Sequence, residues 1–165
     1  MALPLVASEN LSVSAEIAFS RICSIHTWPV WLSFVRRAEF DGYPGVLTSA
    51  SDILLASDLS DGKEEVFEVE ELIEPYLLTL VGAFSCRRRI QFRIERKDAA
   101  SRLTVRIDYV SHGGLLRGVL ARFIARRKLH NLLTLSLQTF KSLVEHDAVE
   151  RAERHEQAAA LMAIS

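Results

Sequence analysis

The last third of the chain contains one long helical pattern, and no other feature constrains the fold as strongly. Nine residues recur at intervals of three or four, which places them on one face of a helix, and seven of the nine are apolar. They are Leu115, Val119, Phe123, Arg126, His130, Leu133, Leu137, Phe140 and Val144. The pattern predicts a helix of about eight turns. An apolar face of this length must be covered, so the helix is expected to lie across the segments that precede it.

Arg126 and His130 interrupt this apolar face one turn apart. One interpretation is that they form a polar window in the buried face, where part of the interface is wet or filled by a ligand. The other is that the helix is rotated slightly. Arg126 would then reach solvent along its apolar stem, and His130 would lie at the edge of the core.

Five segments in the middle of the chain have the residue pattern of β-strands. In one of them Phe67, Val69 and Ile73 alternate with glutamates. Such alternation gives a strand one covered and one solvated face, which is typical of an antiparallel sheet. The five segments are residues 53–59, 65–73, 76–84, 88–95 and 103–109, and Asp61-Gly62 is a hairpin signal between the first two.

Two further strands and two short helices are predicted before these segments. Residues 3–13 and 36–40 are the strands; between them Ser14 can cap one helix and Pro29 suits the first turn of another. The predicted fold class is therefore α+β. We expect a curved antiparallel sheet of about seven strands wrapped around one long C-terminal helix, with two short helices after the first strand.

Composition and charge exclude several classes of protein. Hydrophobic residues make up 49% and charged residues 25% of the chain, as in a folded domain, and the formal net charge of −1 gives no reason to expect a nucleic-acid partner. Most of the glutamates of residues 64–74 and of the arginines of residues 87–96 are expected to pair across strands on a solvated face. No signal peptide and no apolar run of membrane-spanning length is found, so we expect a cytoplasmic protein.

The domain organisation is expected to be simple. Residues 1–147 are predicted to form one domain, and residues 148–165 a charged, alanine-rich extension. Cys23 and Cys86 are predicted to be reduced core residues. We expect no metal site and no cofactor, because two cysteines make no ligand cluster and the chain has no phosphate-binding glycine loop. The sequence sets no expectation for the oligomeric state.

Two short segments carry a family resemblance. Ser14-Ala15-Glu16-Ile17-Ala18-Phe19 follows the first predicted strand, and His26-Thr27-Trp28-Pro29-Val30-Trp31 follows soon after. With the order of predicted elements, they resemble the SRPBCC superfamily of helix-grip proteins, which includes START domains and relatives of the birch-pollen allergen. Within it the chain is most similar to the bacterial polyketide cyclase/dehydrase and lipid-transport branch. The resemblance covers about residues 3–145 and implies a hydrophobic cavity between the curved sheet and the long helix.

Candidate ligand contacts are the residues expected to face this cavity or its mouth: Trp28, Trp31, Phe67, Arg88, Phe92, Tyr109, Phe123, Arg126, His130 and Leu133. The two tryptophans either line the pocket or pack the short helices onto the sheet. Glu71 is in phase with Phe67 and would point inward unless a β-bulge resets the register. The candidate acid or base groups are His130, Glu71 and Tyr109.

Three functions are consistent with these patterns. The leading hypothesis is a carrier or sensor that binds a lipid, an isoprenoid or an aromatic polyketide-like molecule. The first alternative is an enzyme similar to polyketide cyclases, in which polar cavity groups promote cyclisation and dehydration. The second is a membrane-associated accessory protein, because residues 115–128 are both apolar and basic, which would allow peripheral membrane contact.

Overall fold

The structure is a computed structural model of the 165-residue chain. It describes the backbone of residues 4–41, 47–58, 63–83, 88–108 and 119–163, and the side chains of residues 4–40, 47–58, 63–83, 88–108 and 126–162. Within these ranges the elements follow the predicted order. They are β1 (Leu5–Leu11), α1 (Ala15–Cys23), a 3-10 helix (Ile25–Thr27), α2 (Trp28–Trp31), β2 (Val35–Asp41), β3 (Asp52–Ser57), β4 (Glu64–Ile73), β5 (Leu77–Gly82), β6 (Arg89–Lys97), β7 (Ala100–Asp108) and α3 (Val119–Ala163).

The described strands form one antiparallel sheet in the order β1-β7-β6-β5-β4-β3-β2. Strands β2 to β7 form a meander, and β1 joins its far edge by pairing with β7 from Leu5↔Ile107 to Leu11↔Ser101. The sheet curls into a half-barrel. The short helices follow β1 in the chain, and the long helix α3 is C-terminal to the sheet. The predicted α+β helix-grip fold is confirmed, while the hairpin signal at residues 61–62 lies outside the described residues.

The short helix α1 begins where the sequence predicts it. The Ser14 hydroxyl accepts a hydrogen bond from the Ile17 amide at 3.4 Å, which satisfies one of the amides left free at the helix start. One face of α1 then buries Ala15, Ala18, Phe19 and Ile22 in the core. The helix is held by the burial of this face rather than by its length.

The long helix α3 is attached to β1 and α1 by polar contacts. Glu145 Oε1 accepts a hydrogen bond from the Ser12 amide at 2.8 Å. Asp147 Oδ2 lies 3.4 Å from Arg21 Nη1, and this contact is an ion pair with α1. Beyond these contacts every described side chain from Val149 to Met162 is exposed. No helix in the described ranges is both long enough and apolar enough to cross a bilayer.

A β-bulge in β4 decides the direction of Glu71. The pairing of β4 with β5 shifts between Val69 and Glu71, so the strand's alternation is reset at this point. Leu72 packs against the core, while Glu71 and Ile73 are exposed. Of the two alternatives for Glu71, the β-bulge is therefore the one that forms, and the inward orientations that uninterrupted alternation predicts for Glu71 and Ile73 are wrong.

Candidate ligand-binding site

The inner face of the half-barrel is lined by apolar side chains from all the described strands. Each is at most 5% exposed: Leu5, Ala38, Ile53, Leu55, Phe67, Val69, Leu78, Leu80, Ile90, Phe92, Ile94, Leu103, Val105 and Ile107. Helix α3 covers this face with Leu133, Leu137, Phe140 and Val144, each at most 1% exposed. Phe67, Phe92 and Leu133 are therefore on the inner face that the sequence predicted for them.

Four aromatic rings meet between the sheet and α3. Trp31 lies 4.6 Å from Phe140 of α3 and 6.2 Å from Phe92 of β6, measured between ring centroids. Trp28 lies 5.1 Å from Phe92 and 6.4 Å from Trp31. These tilted and edge-to-face contacts fix α2 against the sheet. In the described part of the chain both tryptophans pack α2 into the core.

The two tryptophans differ in their hydrogen bonding. The indole Nε1 of Trp28 donates to the Ile22 carbonyl at 2.8 Å, which joins α2 to α1. The indole Nε1 of Trp31 is buried and has no acceptor among the described residues, although the residue is only 1% exposed. A buried N–H without a partner costs about 1–3 kcal/mol, so Trp31 is a donor that would gain from an acceptor.

One charged pair lies on this inner face. Arg88 Nη1 is 2.7 Å from Glu65 Oε2, and the two side chains are only 15% and 13% exposed. Glu65 is in phase with Phe67 on β4, and Arg88, just before β6, is in phase with Ile90. The Nε–H of Arg88 is buried and has no acceptor among the described residues.

Glycine at position 82 leaves the space in which this pair forms. Gly82 pairs with Phe67 of β4, and its amide donates to the Arg88 carbonyl at 2.9 Å on the other side. Gly82 of β5 therefore lies between Glu65 of β4 and Arg88, and all three residues are on the same inner face. Because glycine carries no side chain, Arg88 and Glu65 can meet over β5. Glu65 was not among the predicted contacts, because the glutamates of this strand were expected on the solvated face; its phase with Phe67 could have identified it.

The predicted polar window in α3 does not form. His130 is exposed, and its place in the buried stripe is taken by Leu129, which packs against the core. Residues 129 and 130 both fit a three-or-four spacing, so only the rotation of the helix separates them. Arg126 is half-buried and its Nη2 donates to the Pro4 carbonyl at 3.2 Å, at the start of β1. The polar-window interpretation is therefore wrong for His130, and the alternative interpretation, a slightly rotated helix, is the one that its exposure supports.

Two other predicted contacts lie outside the described side chains, namely Tyr109 and Phe123.

The buried stripe of α3 contains a polar residue that was not among the predicted contacts. Ser136 is fully buried; its hydroxyl accepts from the Ser33 amide at 2.9 Å and donates to the Leu132 carbonyl at 2.8 Å. It ties the end of α2 to α3.

A separate cleft of about 760 Å³ lies outside the aromatic cluster, between α1, the 3-10 helix, β2 and the β4–β5 turn. Phe19, Phe40, Cys23, His26 and Glu74 are among its lining residues. Burial, and to a lesser extent the charge of Glu74, raises the pKa of the Cys23 thiol to about 12. The thiol is therefore protonated at neutral pH and is a poor nucleophile. The other cysteine, Cys86, lies outside the described residues.

The histidine, cysteine, aspartate and glutamate side chains of the described residues form no group of three or more that could hold a metal ion. Two of the groups described above are buried N–H donors without an acceptor among the described residues: the Nε–H of Arg88, which belongs to the ion pair with Glu65, and the indole N–H of Trp31. This arrangement can orient a molecule that carries hydrogen-bond acceptors.

Comparisons with known proteins identify the fold class. A START superfamily protein from Mycobacterium smegmatis aligns with a TM-score of 0.63 at 16% identity, covering 87% of this chain and 97% of that one. A crystal structure of a protein from Thermus thermophilus aligns with a TM-score of 0.69 at 11% identity, over 88% and 99% of the two chains. No family model and no curated protein matches the sequence. The chain has a START-like, helix-grip fold.

Proposed function

We propose that the half-barrel binds a hydrophobic small molecule, as a carrier or sensor, and that Arg88 recognises an uncharged oxygen at one end of it. The observation that carries this proposal is the buried Nε–H of Arg88, which has no acceptor among the described residues beside an otherwise apolar surface. Apolar burial supplies affinity without direction, whereas a single unpaired donor selects a ligand that brings an acceptor. Lipids and aromatic polyketides, which the helix-grip resemblance implies, carry such oxygens.

The charge of the pair favours an uncharged oxygen over a carboxylate. Arg88 is already neutralised by Glu65 at 2.7 Å. A ligand carboxylate at the Nε–H would lose its hydration and would also be repelled by Glu65, because like charges in a poorly hydrated site repel strongly. A ketone, ester or hydroxyl oxygen needs only the hydrogen bond. The proposed ligand class is therefore neutral and oxygenated.

A carrier or sensor is preferred to an enzyme on the positions of the candidate catalytic groups. His130 and Glu71 are exposed, and the Cys23 thiol is held protonated by its raised pKa. Tyr109 lies outside the described residues, as do the side chains of most of the 115–128 segment on which the membrane-associated alternative depends. No described residue favours either alternative over ligand binding.

The test compares two probes of equal chain length, methyl decanoate and ionised decanoate, by displacement of an environment-sensitive apolar dye. We expect wild type to bind the ester about tenfold more tightly, since a hydrogen bond contributes about 1 kcal/mol and the charge repulsion adds to it. Arg88→Lys keeps a cation beside Glu65 but removes the Nε–H, so the preference for the ester should narrow by the roughly fivefold that one hydrogen bond contributes, while the part due to repulsion by Glu65 remains.

The matched control is Arg89→Lys, which changes the next residue along the chain, on the outer face. This variant should keep the wild-type preference for methyl decanoate. Tighter binding of decanoate than of the ester, or an unchanged preference in Arg88→Lys, would contradict recognition by Arg88. Native mass spectrometry of the purified protein should meanwhile identify any co-purified ligand, which we expect to be neutral and oxygenated.

A further inference from the structure

We infer that the ligand carries a second hydrogen-bond acceptor, at the end of its apolar body opposite the Arg88 contact, and that the indole N–H of Trp31 binds it. This inference rests on the proposed function and specifies its ligand further. It adds a second recognition point deep in the half-barrel, so the ligand is an apolar molecule with an oxygen at each end.

The first argument is the environment of Trp31. Its ring lies against Phe92 of the sheet and Phe140 of α3, so the indole stands in the space between the two layers. The residue is 1% exposed, and its Nε1 has no acceptor among the described residues. Buried donors are nearly always paired in folded proteins, and an unpaired one calls for a specific explanation.

The second argument is the contrast with Trp28. This neighbouring indole, equally buried, donates to the Ile22 carbonyl at 2.8 Å. A backbone carbonyl can therefore accept a hydrogen bond from an indole N–H in this part of the core. Among the described residues, Trp28 has such an acceptor and Trp31 does not. A phenylalanine would fill the position of Trp31 without an unpaired donor. The indole is consistent with a site that is completed by an acceptor from outside the chain.

The third argument is the distance along the chain between Arg88, just before β6, and Phe92, the β6 residue that Trp31 contacts. Trp31 contacts Phe92, which is four residues beyond Arg88 on the same inner face. Four residues of an extended strand span about 13 Å. A ligand whose two oxygens are separated by an apolar body of roughly this length would reach Arg88 and Trp31 together. Both unpaired groups are donors, so both ends of the ligand must be acceptors.

The experiment uses dimethyl sebacate, an ester at both ends, and methyl decanoate, an ester at one end of a chain of the same length. In wild type we expect the diester to bind about fivefold more tightly than the monoester, because it adds one buried hydrogen bond of about 1 kcal/mol. Dimethyl adipate, which is shorter, should lose this advantage because it cannot reach both donors.

Trp31→Phe should remove the advantage of the diester and leave the affinity for methyl decanoate within about twofold. Trp28→Phe is the matched control, since its N–H is already paired, and it should retain the advantage. A second measurement uses the wild-type protein and does not depend on the folding of a variant. Of the two indole N–H signals in a nitrogen-15 correlation spectrum, the Trp31 signal should shift with dimethyl sebacate and not with methyl decanoate.

The outcomes separate this inference from the function on which it rests. If the diester keeps its advantage in Trp31→Phe, or if the Trp31 signal does not respond to it, the second contact is refuted while the Arg88 contact stands. If neither ester displaces the dye from the wild-type protein, both the proposed function and this inference are refuted.

Discussion

Two arginine–glutamate pairs connect β4 with the start of β6 from opposite faces of the sheet, and they differ mainly in their access to water. Arg88–Glu65 lies inside and Arg89–Glu70 outside, and both have a nitrogen–oxygen distance of 2.7 Å. The inner side chains are 15% and 13% exposed, and the outer ones 48% and 45%. Distance alone therefore says little about what an ion pair does.

The difference follows from the cost of removing charges from water. The outer pair keeps most of its hydration, so it gains and loses little by forming. The inner pair gives up much of its hydration, and its members depend on each other. A largely buried ion pair on an apolar inner surface is thus costly for stability, which supports a role in recognising a ligand beside the evidence of the unpaired Nε–H.

The largest expected effect tests this comparison directly. Arg88→Gln should lower the free energy of unfolding by about 2–4 kcal/mol, because Glu65 would be left charged and poorly hydrated. Arg89→Gln should change it by less than about 1 kcal/mol. Urea denaturation followed by circular dichroism measures both. Equal losses in the two variants would show that burial does not distinguish the pairs.

A prediction of intermediate size compares the effects on stability of replacing the two buried tryptophans. Trp28→Phe should cost about 1–3 kcal/mol of stability, because it leaves the Ile22 carbonyl without its donor. Trp31→Phe removes a donor that has no described partner, so its effect on the ligand-free protein should be smaller. Thermal unfolding of the ligand-free variants measures both. A larger loss for Trp31→Phe would indicate that its N–H is already satisfied.

The last expected effect appears only at high pH and concerns Cys23, a half-buried ionisable group without a compensating charge. The pKa of Cys23 is raised from 9.0 to about 12 in the folded state, chiefly by burial. The folded protein therefore binds the thiol proton more tightly than the unfolded chain does, and the resulting stability is complete below pH 9. It should be lost as the pH rises from 9 towards about 12.

Cys23→Ala provides the control for this prediction. The difference in unfolding free energy between wild type and the variant should shrink above pH 9. Alkylation of the folded protein by iodoacetamide should likewise be slow at neutral pH. Rapid alkylation there would mean that the thiolate is accessible and the pKa is not raised.

Most residues of the inner face could be predicted, because successive side chains of one strand point to opposite faces of the sheet. Phe67, Arg88 and Phe92 have the orientations that their strand phases indicate. The same rule placed Glu71 incorrectly, because a bulge in β4 changes the phase before that residue. Nothing in the local sequence distinguishes the bulged residue from its neighbours, which are mainly glutamates; the pairing with β5 does.

The sequence by itself determined the class of fold, the order of the elements and the orientation of most strand residues, because periodicity and caps act over a few neighbouring positions. Only the tertiary structure decided that Leu129 rather than His130 faces the core, since the rotation of a helix is set by what packs against it. It also decided that Glu65 and Arg88, 23 positions apart, meet beside Gly82. Such a contact depends on the register of three strands, and register is a property of their pairing.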